Sequence, residues 1–432
     1  MTRPFGAASA TALVVANAIG AGVFTTSGFA LADLGERRWV MLAWLVGGLI
    51  ALAGAVSYGR LAAVVRESGG EYVFLSRVVH PAAGFVAGWV SLLAGFTGAI
   101  AYAAHAFEQY AWPWDVERPA WLPYGSLAVL SIVVFGALHA AFARRGLVAQ
   151  NAIVALKLVL LGTFVVYAAV RRADGAWTGL TLPELEPGFA PLAFAGSLVW
   201  ISLAYSGFNA AVYVAEEVRE PQRTIPRAMV GGTACVLVTY LALNAVFLYA
   251  PPPGSVAGRP EVAVSAAWVL GGEGLAIAMR ALVALALLTS VSSMLVAGPR
   301  VYARMARDGV LPAVLAGGAP REGTDDVPRA AIVLQAALAA LVVLVTKLQE
   351  LLSYLGLTLS LSAAATVASL FLLRSRGVAL GGLGIPAFYV ASTLSLAALF
   401  ALENPAQIAA TAATVVAGLA LWLATRRWTR AR

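Results

Sequence analysis

Apolar residues run along this chain in long blocks, with the polar ones squeezed into short gaps. A helix needs about 20 apolar residues to cross a hydrocarbon core about 30 Å thick. About twelve such runs can be placed, near residues 7–32, 38–64, 82–111, 124–142, 147–170, 191–216, 227–250, 275–299, 328–346, 349–373, 383–402 and 405–425. The connections are too short to fold alone. The pattern predicts an all-α polytopic membrane protein, with residues 1–432 forming one membrane domain of 12 transmembrane helices.

Two of the runs are interrupted. The first contains NAIGAGVF, Asn17 to Phe24, which places Gly20 and Gly22 about 13 residues into the segment, or roughly 20 Å along a helix. Small residues in a membrane helix allow close helix packing, and that reading stays open. The other reading is a break, because irregular backbone inside a bilayer survives only where protein or a water-filled cavity satisfies it. The sixth run, SLVWISLAYSGFNAAVYVAEEV, clusters Ser206, Gly207 and Asn209 at its middle. Glycine-interrupted segments at matching places in two halves of a chain point to the binding site of a transporter built from repeats.

A break does its chemistry through the main chain. One half-helix offers free N–H groups and the other free carbonyls, so one end favours an anion and the other a cation. An amino acid carries both charges. Its carboxylate is expected on the N–H groups of Ala21 and Gly22, and its ammonium on the carbonyls of Ala18, Leu203 and Ser206. The candidate substrate-lining residues are Ala18, Ile19, Gly20, Ala21 and Gly22 in the first run. In the sixth they are Leu203, Tyr205, Ser206, Gly207, Phe208 and Asn209.

Composition sharpens this picture. The chain is 61% hydrophobic and 12% charged, and its net charge of +8 raises nucleic acid as a partner. The distribution of the charges argues against it. With the N-terminus inside, about 20 Lys and Arg fall on the cytoplasmic side and about 8 outside, the positive-inside bias. Both termini are therefore expected in the cytoplasm, with the protein in a bacterial inner membrane and no cleaved signal peptide. The single cysteine, Cys235, excludes an intrachain disulfide. His80, His105 and His139 lie on separate segments without metal-ligand spacing, and there is no HExxH and no phosphate-binding GxxxxGK[ST]. Neither a metal nor a cofactor is expected.

The interrupted stretches also resemble a known family. IGAGVF followed by TTSGF is similar to the IGSGIF signature of the amino acid, polyamine and organocation transporter superfamily. AYSGFNAAVYVAEEVREPQRTIP resembles its sixth-helix signature, nearest to the L-type amino-acid transporter branch. SGGEYVFLSRVVHPAAGFVAGW (68–89) and GPRVYARMARDGVLP (298–312) match as well. The resemblance implies the leucine-transporter fold: a 5+5 inverted repeat over 1–172 and 190–375, with broken helices 1 and 6, and two peripheral helices over 380–425. It also implies alternating access. Two departures stand out. Ala21 replaces a serine, and Leu203 takes the place of a frequent aromatic gate, which leaves Phe208 or Tyr205 to close the site.

Lys157 and Lys347 are the only lysines in an arginine-rich chain. Lys157 falls near mid-membrane in the fifth run, where insertion costs at least about 2.5 kcal/mol. Unlike arginine, a desolvated lysine can release its proton. Relatives without sodium coupling resemble this chain in having a lysine there in place of a sodium ion, with Ser292 and Ser293 of the eighth run as facing groups. A permanently paired or snorkelling lysine is the alternative. Glu216, Glu217, Arg219, Arg223 and Arg227 read as loop charges or as an inner gate, His105 and Glu108 as interface residues, and the tryptophans at 39, 112, 114, 121 and 177 as an interfacial belt.

With no acidic residue placed near either interruption, the expected function is sodium-independent secondary transport of neutral L-amino acids. The partners are the amino acid and the lipid bilayer, with the proton as a candidate coupling ion. A cationic amino acid or amine antiporter served by Glu108 stays open, as does a non-transporting sensor or scaffold. An intramembrane enzyme lacks a Ser/His or paired-Asp constellation.

Overall fold

The computed structural model describes residues 6–65, 67–112, 116–141, 146–185, 188–317 and 328–430. They form helices joined by short turns, and the expected runs each coincide with a helix. Span 1 is a pair, Ala7–Ala18 and Ala21–Leu34, bent by 41°. Gly35, at φ 68° with its N–H on the Leu31 carbonyl, closes it in a left-handed conformation that costs glycine little. Spans 2 and 3 are Arg37–Val64 and Pro81–Ala111, with a short connecting helix, Gly70–Val78, between them. Spans 4 and 5 are Ser126–Ala141 and Gly146–Ala173.

Span 6, Pro191–Glu216, and span 7, Pro221–Tyr249, each start on a proline, whose missing N–H is no loss at the first helical position. Span 8 belongs to a helix over Val262–Arg307 that kinks at Gly271 and Gly272. Spans 9 to 12 are Arg329–Val345, Leu348–Ser375, Gly384–Glu403 and Pro405–Thr425. Among the described residues, eight helices are long and apolar enough to cross a membrane, or nine counting the bent pair as one span. The helices numbered 4, 5 and 9 fall outside that count, and the numbering follows the twelve expected runs.

Spans 1 and 6 occupy the interior. The second half of span 1 packs on the first half of span 6, and its first half packs on span 7 and on the second half of span 6. Spans 11 and 12 are only 28% and 11% buried, against 61% for spans 3 and 6, so they sit at the periphery. Lipid tails are as apolar as leucine, so close packing and polar contacts rather than hydrophobic burial hold such helices together. The second half of span 1 is tied on three sides: Trp44 Nε1 donates to Ser27 Oγ at 2.8 Å, Ser27 bonds Asn244, and Tyr110 Oη donates to the Phe24 carbonyl at 2.9 Å.

Candidate functional site

The break in span 1 is real and short. Ile19 (φ −76°, ψ 80°) and Gly20 (φ −118°, ψ −152°) leave the helical region before the chain re-enters it at Ala21. The Ala18 and Ile19 carbonyls have each found donors. The Ala18 carbonyl takes the Gly20 N–H at 2.8 Å and the Tyr240 hydroxyl of span 7 at 2.5 Å. The Ile19 carbonyl takes the Lys157 ammonium of span 5 at 2.7 Å, and Lys157 is 3% exposed. On the other side no side chain caps the helix that begins at Ala21. Its first N–H groups stay available to an anion.

Span 6 behaves differently from the expected break. It is α-helical to Tyr205, then tightens into a 3₁₀ helix over Ser206–Glu217, with Val214 off helical geometry. The change of winding keeps the main chain bonded, so no extended gap opens there. Leu203 O accepts the Ser206 hydroxyl at 2.8 Å, and Ala204 O lies 3.0 Å from the Tyr240 hydroxyl. Leu203 O also takes the Ser206 N–H, so both of its lone pairs are used. Tyr240 stands between spans 1 and 6, within hydrogen-bond reach of a carbonyl on each.

The two glycines that looked alike in sequence have separate jobs. A Cβ on Gly20 would meet nothing closer than 3.9 Å, where the Ser290 hydroxyl and the Ala18 carbonyl lie. A Cβ on Gly22 would sit 2.6 Å from that of Ala204, and one on Gly207 would fall on the Ala18 backbone nitrogen. Gly22 and Gly207 are therefore close-packing residues between spans 1 and 6, while a methyl on Gly20 would make only ordinary van der Waals contacts.

Other residues singled out in the sequence are placed as follows. Tyr205 donates to the Trp44 carbonyl at 3.1 Å and packs on Trp44 and Tyr240, while Phe208 lies edge-on to Tyr58. Both rings are built into the interior. Ser292 pairs with His139 Nε2 at 2.8 Å, and Ser293 donates to the Thr289 carbonyl at 2.7 Å. Ser290, one turn from Ser293 on the same face, is the span 8 hydroxyl nearest Gly20.

His105 and Glu108, near the end of span 3, are buried within the protein, and Glu108 is paired with Arg118 at 2.6 Å and with the Gly125 N–H at 2.8 Å. One expectation needs correction: an acidic residue does approach span 6, where Asn209 Nδ2 donates to Glu71 Oε1 at 2.6 Å. Sequence reading missed Tyr240 and Glu71. For Tyr240 a signal existed, since Tyr240 and Asn244 are polar groups four apart in an apolar helix and so share one face.

A polytopic helical protein is thus opened at one central span and rewound at its neighbour, with a lysine and a tyrosine on the freed carbonyls. Interrupted central helices of this kind line the binding sites of repeat-built transporters. The amino acid permease family profile matches residues 5–424, and the chain belongs to that family. It is a membrane transporter of amino acids, not an enzyme, and its fold is that of the leucine transporter. It is 27% identical over 385 residues to the large neutral amino acids transporter small subunit 2 of Oryctolagus cuniculus and of Homo sapiens, covering 87% of this chain and 70% of each relative. It is 26% identical over 271 residues to the b(0,+)-type amino acid transporter 1 of Mus musculus, covering 61% of this chain and 55% of that protein.

Proposed function

We propose that this chain carries neutral L-amino acids by alternating access, without sodium, through a site at the span 1 break. The substrate carboxylate lies on the N–H groups of Ala21 and Gly22, and its ammonium beside the Ala18, Leu203 and Ser206 carbonyls, in exchange for protein donors they now hold. The observation that carries this reading is the Lys157 ammonium on the Ile19 carbonyl. A positive charge on the broken main chain supports a lysine acting in place of a sodium ion. The likeness to the large neutral amino acids transporter small subunit 2 of rabbit and human supports the neutral substrate class. The arginine bias supports a cytoplasmic N-terminus, and the helices coinciding with all expected runs support twelve spans in a 5+5 repeat.

Uptake of a radiolabelled neutral amino acid into proteoliposomes, with a panel of competitors, tests the reading. Neutral amino acids should compete and cationic ones should not, and replacing sodium with choline should leave the rate within about twofold, since no sodium binding energy is lost. Strict sodium dependence overturns the Lys157 argument. Binding without flux would mark a sensor. Cationic substrates have a specific observation in their favour, the Glu71 carboxylate one hydrogen bond from span 6, but its bonds are taken up by protein donors.

Tyr240→Phe removes the hydroxyl that links spans 1 and 6 and leaves the ring in place. A neutral hydrogen bond is worth about 0.5–1.5 kcal/mol net, so transport should slow by roughly three- to tenfold. The same proteoliposome assay reads this, and an unchanged rate would make the contact incidental.

A further inference from the structure

The connecting helix Gly70–Val78 lies on the side of the membrane where span 1 begins, and it carries a carboxylate that the transport site does not use. Glu71 is 6% exposed. It accepts hydrogen bonds from Tyr58 Oη of span 2 at 2.9 Å, from Asn209 Nδ2 at 2.6 Å and from Tyr213 Oη at 2.6 Å. The last two donors belong to the 3₁₀ stretch of span 6. All three are neutral, and among the described residues no Lys, Arg or His forms an ion pair with Glu71.

A buried charge without a countercharge is tolerated only while its hydrogen bonds are kept. The stretch held by Glu71 is also the one that rests on Ala18 through Gly207. A second layer of contacts surrounds it. Ser68 and Glu216 exchange main-chain and side-chain bonds at 3.0 and 3.2 Å, Tyr72 Oη donates to Asp308 at 2.8 Å, and Glu67 pairs with Arg77 at 2.7 Å. The bond from Arg77 holds the Glu67 carboxyl below its ordinary range, so that pair stays charged.

We propose that Glu71 is the positioning residue of the gate on this side, fixing Asn209 and Tyr213 of span 6 to the connecting helix while the path is closed. Opening breaks its three bonds together, because the carboxylate is stable either dry with all its donors or wet with water in their place. The inference rests on the transport reading above, but not on the identity of the substrate.

The test uses a Cys235→Ser background with a reporter thiol from Ala211→Cys on the 3₁₀ stretch, a position that is 0% exposed. The protein in proteoliposomes is labelled with a water-soluble maleimide, without substrate. Glu71→Gln keeps the shape but turns one acceptor into a donor that faces other donors. It should speed labelling by about tenfold or more, as expected for a bond to a charged group, and Glu71→Asp should stay closer to wild type. In exchange assays the maximal rate should change more than KM. A folded Glu71→Gln protein, monodisperse and with an unchanged thermal midpoint, that labels at the wild-type rate overturns the proposal. If Glu71→Gln fails to fold, Tyr213→Phe removes one donor and should raise labelling about threefold, with no change again counting against the proposal. Labelling needs no substrate, so a wrong substrate class leaves this result intact.

Discussion

Lys157→Ala should cut amino-acid uptake by roughly one to two orders of magnitude. The Lys157 ammonium is the donor that spans 5 and 1 share at the Ile19 carbonyl, 2.7 Å away and buried. A hydrogen bond to a charged group is worth about 1.5–3 kcal/mol, and every 1.4 kcal/mol is about tenfold. Alanine leaves the Ile19 carbonyl without that donor inside the membrane, where water does not replace it. The loss falls on transport because the break that needs the donor is also where the free N–H groups of Ala21 and Gly22 begin. Lys157→Arg separates the two roles of the side chain. It keeps a positive charge but cannot release a proton. If the lysine only ties the main chain, arginine restores part of the rate with a wild-type pH profile; if it also carries a proton, the rate returns without the pH dependence. Uptake in proteoliposomes at two pH values reads both. Lys157→Ala with unchanged kinetics and unchanged pH response would remove the lysine from the mechanism.

What the sequence disclosed follows from what a bilayer forbids. A freed carbonyl at mid-membrane is costly, so the break at Ile19 and Gly20 shows up as small residues inside an otherwise apolar run. A buried lysine is equally conspicuous in a chain that uses arginine almost everywhere. Less was legible where the backbone stays bonded. The 3₁₀ winding after Tyr205 satisfies its main chain through i→i+3 contacts, and Ser206, Gly207 and Asn209 are compatible with that geometry as well as with an open break. Register was harder still. Nothing in the sequence says which hydroxyl of span 8 faces span 1, and Ser292 turned out to meet His139. Glu71 was hidden because a carboxylate between two runs reads as an ordinary loop charge. Only the fold of Gly70–Val78 against spans 2 and 6 shows that it is buried.

The sharpest contrast is expected among glycines. Gly207→Ala should abolish transport and lower the thermal midpoint, because the added methyl falls on the Ala18 backbone, and backbone cannot yield as the end of a flexible side chain can. Overpacking of this kind costs about 1–3 kcal/mol or more, enough to separate spans 1 and 6 at the point where Tyr240 bridges them. Gly22→Ala, with its Cβ 2.6 Å from that of Ala204, should do the same to a lesser degree. Gly20→Ala should fold like the wild type. Its φ of −118° is open to any L-residue, and no atom lies within 3.9 Å of the new methyl. In the proposed site, that methyl takes up room the substrate would use beside the N–H groups of Ala21 and Gly22. Gly20→Ala should therefore raise KM, and Gly20→Leu should abolish binding in a protein that still elutes as a single species. Thermal unfolding and substrate binding on the same four preparations decide the matter. A harmless Gly207→Ala would mean that spans 1 and 6 do not touch there, and wild-type binding by Gly20→Leu would mean that the substrate sits elsewhere.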